Sequence, residues 1–210
     1  MKNIVIVGKG GFGREVEWLI ERINSVNPTW NVLGYIDNNL SDEGVIGDDD
    51  FIINYEDELH VAIAIGNSKA REKIYNKYIV NPNIKYPNLI DPSVLFSSSV
   101  KIGIGNIICA GTIMTVDISI GNCNIRNLDC TVGHDSTIAN FVTINPSVNI
   151  SGNVRLGKCI LIGTGTQIIQ GLAIGDNSIV GAGAVVNKNL PHNCTAVGVP
   201  AKVIRIHEAE

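Results

Sequence analysis

One spacing constrains this chain more than any other feature. From Phe96 to Val186 every sixth residue is apolar except Arg126: Phe96, Ile102, Ile108, Met114, Ile120, Arg126, Val132, Ile138, Ile144, Ile150, Leu156, Ile162, Ile168, Ile174, Val180 and Val186. No insertion interrupts the count. A second column four residues on is mostly small or β-branched, running from Asn106 through Cys130 and Val148 to Ala184. A helix repeats near 3.6 residues and a half-buried strand every second residue, so neither fits this period. Six residues suffice for a short strand and a corner. Three such segments close a triangular coil, and coils stack as parallel strands bonded only to the coils above and below. Burying each aliphatic side chain contributes about 1.5–3 kcal/mol, and only a stack can bury the column. Glycine often follows the column residue (Gly103, Gly121, Gly133, Gly157, Gly163, Gly175, Gly181), as suits a corner of positive φ or a close approach of backbones. The spacing predicts a parallel β-helix.

The first half follows other rules. Lys2 to Val7 is an apolar, β-branched run. It leads into Gly8-Lys9-Gly10-Gly11-Phe12-Gly13 and a helical stretch, Arg14 to Asn24, with Val16, Leu19, Ile20 and Ile23 on one face. Strand, GxGxxG and helix open a dinucleotide-type unit, in which glycines let a phosphate-bearing ligand approach backbone N–H groups. Val32 to Ile36 and Val61 to Ile65 read as further buried strands, and Lys69 to Tyr78 as a helix. Ser41 to Asp50 reads as a surface loop. The expectation is an α/β, Rossmann-like domain of three or four parallel strands over residues 1–88, then a β-helix domain over 89–210. Gly10, Asp37 and Gly66 end strands at the carboxyl edge, where open α/β sheets bind ligands. Tight turns alone are the other explanation of these glycines. No dehydrogenase-type catalytic domain follows the fingerprint.

Composition narrows the class. With 45% hydrophobic and 17% charged residues the chain is globular, and a net charge of -4 gives no case for nucleic acid or an anionic membrane. No apolar run approaches a membrane span. Ile4 to Val7 is too short for a signal-peptide core, so a cytoplasmic protein is expected. Its five cysteines (Cys109, Cys123, Cys130, Cys159, Cys194) are then reduced, and without CxxC spacing they read as packing residues and not metal ligands.

Of the histidines His60, His134, His192 and His207, only His134 lies within the repeats. It falls two residues after a column position and so points outward. An outward imidazole followed by a carboxylate, Asp135, is a candidate general base, with a solvated surface histidine as the alternative. Stacked positions are eighteen residues apart. Val116 and Gly152 therefore flank His134, and Asp117 stacks on Asp135 as a carboxylate ladder. Gly152, lacking a side chain, offers an open N–H as an oxyanion donor. Arg126 would be costly unpaired in the core, so a local distortion turning it outward toward Asp129 is expected. After Val186, residues 187–193 form a polar loop, and an extended segment from Cys194 to Ile206 caps the last coil.

These motifs together resemble a known family, the hexapeptide-repeat acetyltransferases of bacterial sugar pathways, of the sialic-acid and bacillosamine type. They are Gly8 to Gly13, Ile36-Asp37-Asn38, Ala64-Ile65-Gly66-Asn67 with Arg71, Gly133-His134-Asp135, Ser151-Gly152-Asn153-Val154 and Gly198-Val199-Pro200-Ala201-Lys202. The resemblance implies a left-handed β-helix, a homotrimer with sites between subunits, acetyl-CoA as co-substrate and no metal. It implies N-acetylation of a nucleotide-linked amino sugar, of UDP-4-amino-sugar type, with His134 as base, Asp135 supporting it and the Gly152 N–H holding the oxyanion. Gly10, Gly11, Phe12, Asp37, Asn38 and Gly66 map onto nucleotide-sugar contacts. Thr143, Gly152, Thr164 and Ala182 map onto acetyl-CoA contacts, and many members carry a histidine in place of Thr143. Sugar O-acetylation, as of a sialic acid, and an inactive nucleotide-sugar-binding or scaffold protein are the alternatives.

Overall fold

In a computed structural model that describes residues 1–208, the chain forms two lobes; residues 209–210 lie outside the described residues. The N-terminal lobe is a parallel sheet of order β3-β2-β1-β4-β5. Its elements are β1 (Lys2–Val7), α1 (Gly11–Val26), β2 (Trp30–Ile36), β3 (Val45–Gly47), α2 (Asp49–Ile53), β4 (Leu59–Ile63), α3 (Ser68–Tyr78) and β5 (Ile84–Lys85). Alternation along β1 explains its unbroken apolar run. Ile4 and Ile6 join a cluster with Val16, Leu19 and Ile20 of α1, while Val5 and Val7 face Ile52 and Tyr78 on the other side. Residues 41–50 are not simply a loop: Val45 pairs with Tyr35 and Gly47 with Ile36, adding an edge strand, and Asp48 caps α2 by accepting from the Asp50 N–H. The sheet therefore has five strands, and two apolar residues sufficed to occupy the free edge of β2.

The second lobe is a parallel β-helix of two-residue strands on three faces. Face one carries Leu95–Phe96 and its successors to Val185–Val186, face two Lys101–Ile102 to Ala173–Ile174, and face three Leu89–Ile90 to Ile179–Val180. Register advances by eighteen residues without a slip, as in Ile113↔Thr131↔Asn149↔Gln167. Column residues from Ile108 to Val186 point inward and are buried; Phe96, on the open first coil, is half exposed.

The two explanations of the column glycines are separated by the backbone. Positive φ falls two residues later, at Asp117, Cys123, Asp129, Asp135, Phe141, Ser147, Asn153 and their equivalents. The glycines directly after the column are needed for close approach: a Cβ on Gly133 would lie 2.5 Å from the Gly152 nitrogen, and one on Gly163 would lie 2.7 Å from the Gly181 carbonyl carbon. Arg126 does not turn outward. It stays in register between Ile108 and Ile144 and is completely buried. Cys194–Val197 joins face three beside Ile179–Val180, and Lys202–Ile206 folds back antiparallel upon it, covering the last coil as expected.

The lobes share a seam along face three. Its outward residues Leu89, Ile107 and Ile125 are buried against the α1 cluster. Arg22 of α1 grips Asp91 at the junction through two hydrogen bonds of 2.5 and 3.0 Å, and Asp91 also accepts from the Ser93 N–H and hydroxyl. Burial alone would raise the Asp91 carboxyl, but the Arg22 and Ser93 hydrogen bonds outweigh it and hold the group down at about 2. A depressed carboxyl stabilises the fold above its ordinary value near 4 and loses that contribution as pH falls toward 2. Asp91→Asn is therefore expected to lower the melting temperature at pH 7 by about 3 °C or more. The gap to the parent should close between about pH 4 and pH 2. A gap that stays constant on acidification would contradict the assignment.

Candidate active site

His134 and Asp135 occupy the corner between faces one and two. The positive φ of Asp135, 60°, turns its carboxylate back beside its neighbour, where Oδ2 accepts from His134 Nδ1 at 2.7 Å. A neutral ring that donates to Asp135 through Nδ1 leaves the Nε2 lone pair outward, the form a general base requires. Both side chains are at least half exposed. The ring lies over Gly152 of the next coil: a Cβ there would be 2.6 Å from His134 Cε1 and 2.8 Å from Cδ2, and closer still to Nε2. Only glycine permits this stacking.

The Gly152 N–H makes no hydrogen bond among the described residues. At the corner between faces two and three the equivalent N–H groups are taken: Ile104 donates to Asn122, Asn122 to Asn140 and Lys158 to Asp176. Among the described residues no side chain caps the Gly152 N–H in this way. An imidazole with a free nitrogen thus stands one coil from an unclaimed amide donor, the arrangement needed to remove a proton while polarising a carbonyl. The Asp135 carboxylate is engaged with His134, and the Asp117 backbone N–H donates to Ser99 Oγ at 2.8 Å.

At the carboxyl edge of the N-terminal sheet the glycines divide by role. Gly8 and Gly13 are packing residues, since a Cβ on Gly8 would meet Ile65 Cδ1 at 2.6 Å and one on Gly13 would meet the Gly8 carbonyl carbon at 3.0 Å. Beside Gly10 and Gly66 a Cβ would meet nothing within 4 Å, and beside Gly11 only Arg14 Nη2, at 4.0 Å. Gly10 and Gly11 leave backbone open at the N-terminus of α1, whose first turn carries no acidic residue, and Gly66 leaves it open just before α3. Asp37 lies at the same edge, but its Oδ2 already accepts from the Lys9 N–H at 2.9 Å and so fixes the loop. Phe12 packs into the α1 cluster, and Asn38 is exposed.

Thr143 does not fit a contact at an open groove. It lies in the seam on face three, 3% exposed, and its hydroxyl donates to the Gly66 carbonyl at 2.7 Å. Thr164 and Ala182 are exposed and stacked at the corner between faces three and one, next to Gly165 and Gly183, where an added Cβ would find open space. In a triangular prism the His134 corner is opposite face three. One chain therefore brings the loops of the N-terminal lobe to face three, and Thr164 and Ala182 to its adjoining corner, while holding His134 away from both.

Two residues with no predicted role set the position of the Gly66 loop. Arg71, 1% exposed, donates to the carbonyls of Ile65 at 2.6 Å, Gly66 at 3.3 Å and Cys123 at 2.8 Å, tying the loop to the β-helix. Ser68 donates to the Ile160 carbonyl at 3.1 Å. A signal for the seam was present in the sequence: outward residues on face three are Leu89, Ile107 and Ile125, where face two has Lys101, Ser119, Thr137 and Arg155. Among the described residues no group of three His, Cys, Asp or Glu side chains is placed to hold a metal, and no helix is long and apolar enough to cross a membrane.

Comparison with known proteins agrees with this architecture. Residues 3–78 match the PglD N-terminal domain. A mutant perosamine N-acetyltransferase from Caulobacter crescentus, solved with CoA and GDP-perosamine, superposes with a TM-score of 0.87 at 30% identity, covering 97% of both chains. WeeI from Acinetobacter baumannii AYE gives 0.85 at 32% identity over 97% of this chain and 100% of its own. The acetyltransferase domain of PglB from Neisseria gonorrhoeae FA1090 gives 0.88 at 28% identity over 97% and 100%. The chain spans 59% or less of the length of the curated acetyltransferases it matches first. Fold, N-terminal domain and identity over whole chains converge: the chain belongs to the hexapeptide-repeat sugar acetyltransferases, acetyl-CoA-dependent enzymes that join a PglD-type domain to a left-handed parallel β-helix.

Proposed function

We propose that this chain transfers an acetyl group from acetyl-CoA to the amine of a nucleotide-linked amino sugar, within a homotrimer. The observation that carries the reading is the His134–Asp135 pair stacked over the unclaimed N–H of Gly152. His134 Nε2 takes a proton from the attacking amine as the C–N bond forms. The Gly152 N–H donates to the thioester oxygen as negative charge develops on it, and Asp135 holds the imidazole that becomes cationic. When the C–S bond breaks, the same proton passes to the departing thiolate, so His134 ends as it began.

Gly10, Gly11 and Gly66 hold the nucleotide diphosphate, with Asp37 fixing the loop, Asn38 within reach of the sugar or base, and Phe12 supporting the loop from below. The backbone beside Thr164 and Ala182 lines the path of acetyl-CoA. The opposite placement of His134 and the sugar lobe supports assembly, because a neighbouring copy must then supply the imidazole. A three-sided prism is suited to threefold packing.

The test is thiol release from acetyl-CoA with a UDP-linked amino sugar, GDP-perosamine and free sialic acid as acceptors. Release is expected with one of the nucleotide-linked amines and at least about 10³-fold less with the hydroxyl acceptor, since a site built around one acceptor group discriminates strongly against another. Preferential release with sialic acid would replace N-acetylation by O-acetylation. Binding without release would leave a sugar-binding protein.

A further inference from the structure

Arg126 is used neither by the proposed chemistry nor by the seam. Its guanidinium lies inside the β-helix, between Ile108 below and Ile144 above, and Nε, Nη1 and Nη2 have no hydrogen-bond partner among the described residues. A cation without partners in an apolar shaft is among the most unfavourable groups a fold can carry. Its surroundings are fitted to it nonetheless. From Ile102 to Ile174 the column holds Ile, Leu or Met everywhere except Arg126 and the residue that follows it, Val132. The nearby second-column residues Asn124, Cys130 and Ser136 are small or polar, unlike Val142, Val148 and Val154 above them.

None of these neighbours neutralises the charge. Asn124 Oδ1 accepts from the Val142 N–H at 2.7 Å, Cys130 Sγ donates to the Asn145 carbonyl at 3.2 Å, and Ser136 donates to the Ser151 carbonyl at 3.2 Å. Asp129 is exposed on the corner. Burial lowers the Arg126 guanidinium only to about 10 and pushes the Cys130 thiol up to about 11, so at neutral pH the arginine is charged and the thiol is not. One positive charge remains, on a fork of donors walled by methyl, thiol and amide groups.

We infer that Arg126 is the base of an internal anion site, in which the guanidinium holds one monovalent, weakly hydrated anion of the halide class sealed into the β-helix as the chain folds. A single charge calls for a single counter-charge. A multivalent oxyanion would need more donors than one fork supplies, with none other free beside it.

The experiment is thermal unfolding of the full chain and of Arg126→Met, with bromide raised from about 5 to about 500 mM at constant ionic strength against gluconate. An anion bound only by the folded state raises the parent midpoint by about 4 °C or more over that range, and leaves the variant flat. Equal responses in both proteins, or none in either, would overturn the inference. Crystals of the parent grown in bromide supply a readout that does not depend on the variant folding. An anomalous peak is expected within about 4 Å of the guanidinium, at hydrogen-bond range for a large anion. Bromide found only at the surface also overturns the inference and assigns the interior to water.

Discussion

Replacing His134 by alanine is expected to lower kcat/KM for acetyl transfer by ~10²–10⁴-fold, the usual contribution of a positioned general base. The melting temperature should move by no more than about 2 °C, because the side chain is half exposed and its one side-chain hydrogen bond is to its neighbour Asp135. Binding of nucleotide sugar, measured by calorimetry, should persist, since the open glycines belong to the other lobe. The oligomeric reading adds a second readout. Mixing His134→Ala with a variant blocked in the sugar lobe, such as Gly66→Trp, and refolding the mixture should restore part of the activity, as each copy then lends what the other lacks. If neither inactive variant rescues the other, every site is built within a single chain and the homotrimer argument fails.

The second large effect contrasts two glycines. In Gly152→Ala the nearest atoms to the new methyl are those of the His134 ring, at 2.6 Å for Cε1 and 2.8 Å for Cδ2. An exposed ring can swing aside, so activity should fall nearly as far as in His134→Ala while stability is spared. In Gly163→Ala the methyl meets backbone of the next coil, 2.7 Å from the Gly181 carbonyl carbon and 2.8 Å from Ala182 Cα. Backbone cannot yield without parting the coils, so this variant should lose about 1–3 kcal/mol or more, the range for overpacking a tight site. Denaturant unfolding and thiol release measured on both variants separate the two cases. Comparable losses of stability would mean that Gly152 serves packing and not catalysis.

The β-helix and the exposure of His134 were legible because a six-residue period repeats one local geometry, and each repeat confirms the phase of the last. Arg126 stays inside against expectation for a physical reason. In a two-residue strand one side chain points out and the next in, so turning Arg126 outward would slip the register of every coil above it. Ile125 and Arg126 keep their pairing instead, and the cost falls on the charge. The apolar outward stripe Leu89, Ile107 and Ile125 marks the face that the seam uses, but not the contacts made across it. Thr143, Ser68 and Arg71 meet across 75 or 52 residues of sequence, in contacts such as Ser68 to Thr143 and Arg71 to Cys123, and no local pattern gives the relative placement of two lobes. The edge strand Val45–Gly47 is not legible in the sequence, because three residues carry no period.

His134 and Gly152 are successive storeys of one tower, and the hydrogen bonds between storeys fix their separation near ~4.8 Å. No loop sets that distance, so it does not depend on loop order or on closure of a lid. Whole storeys added above Gly152 would leave the gap unaltered, whereas a single inserted residue between the two would rotate the imidazole off its edge.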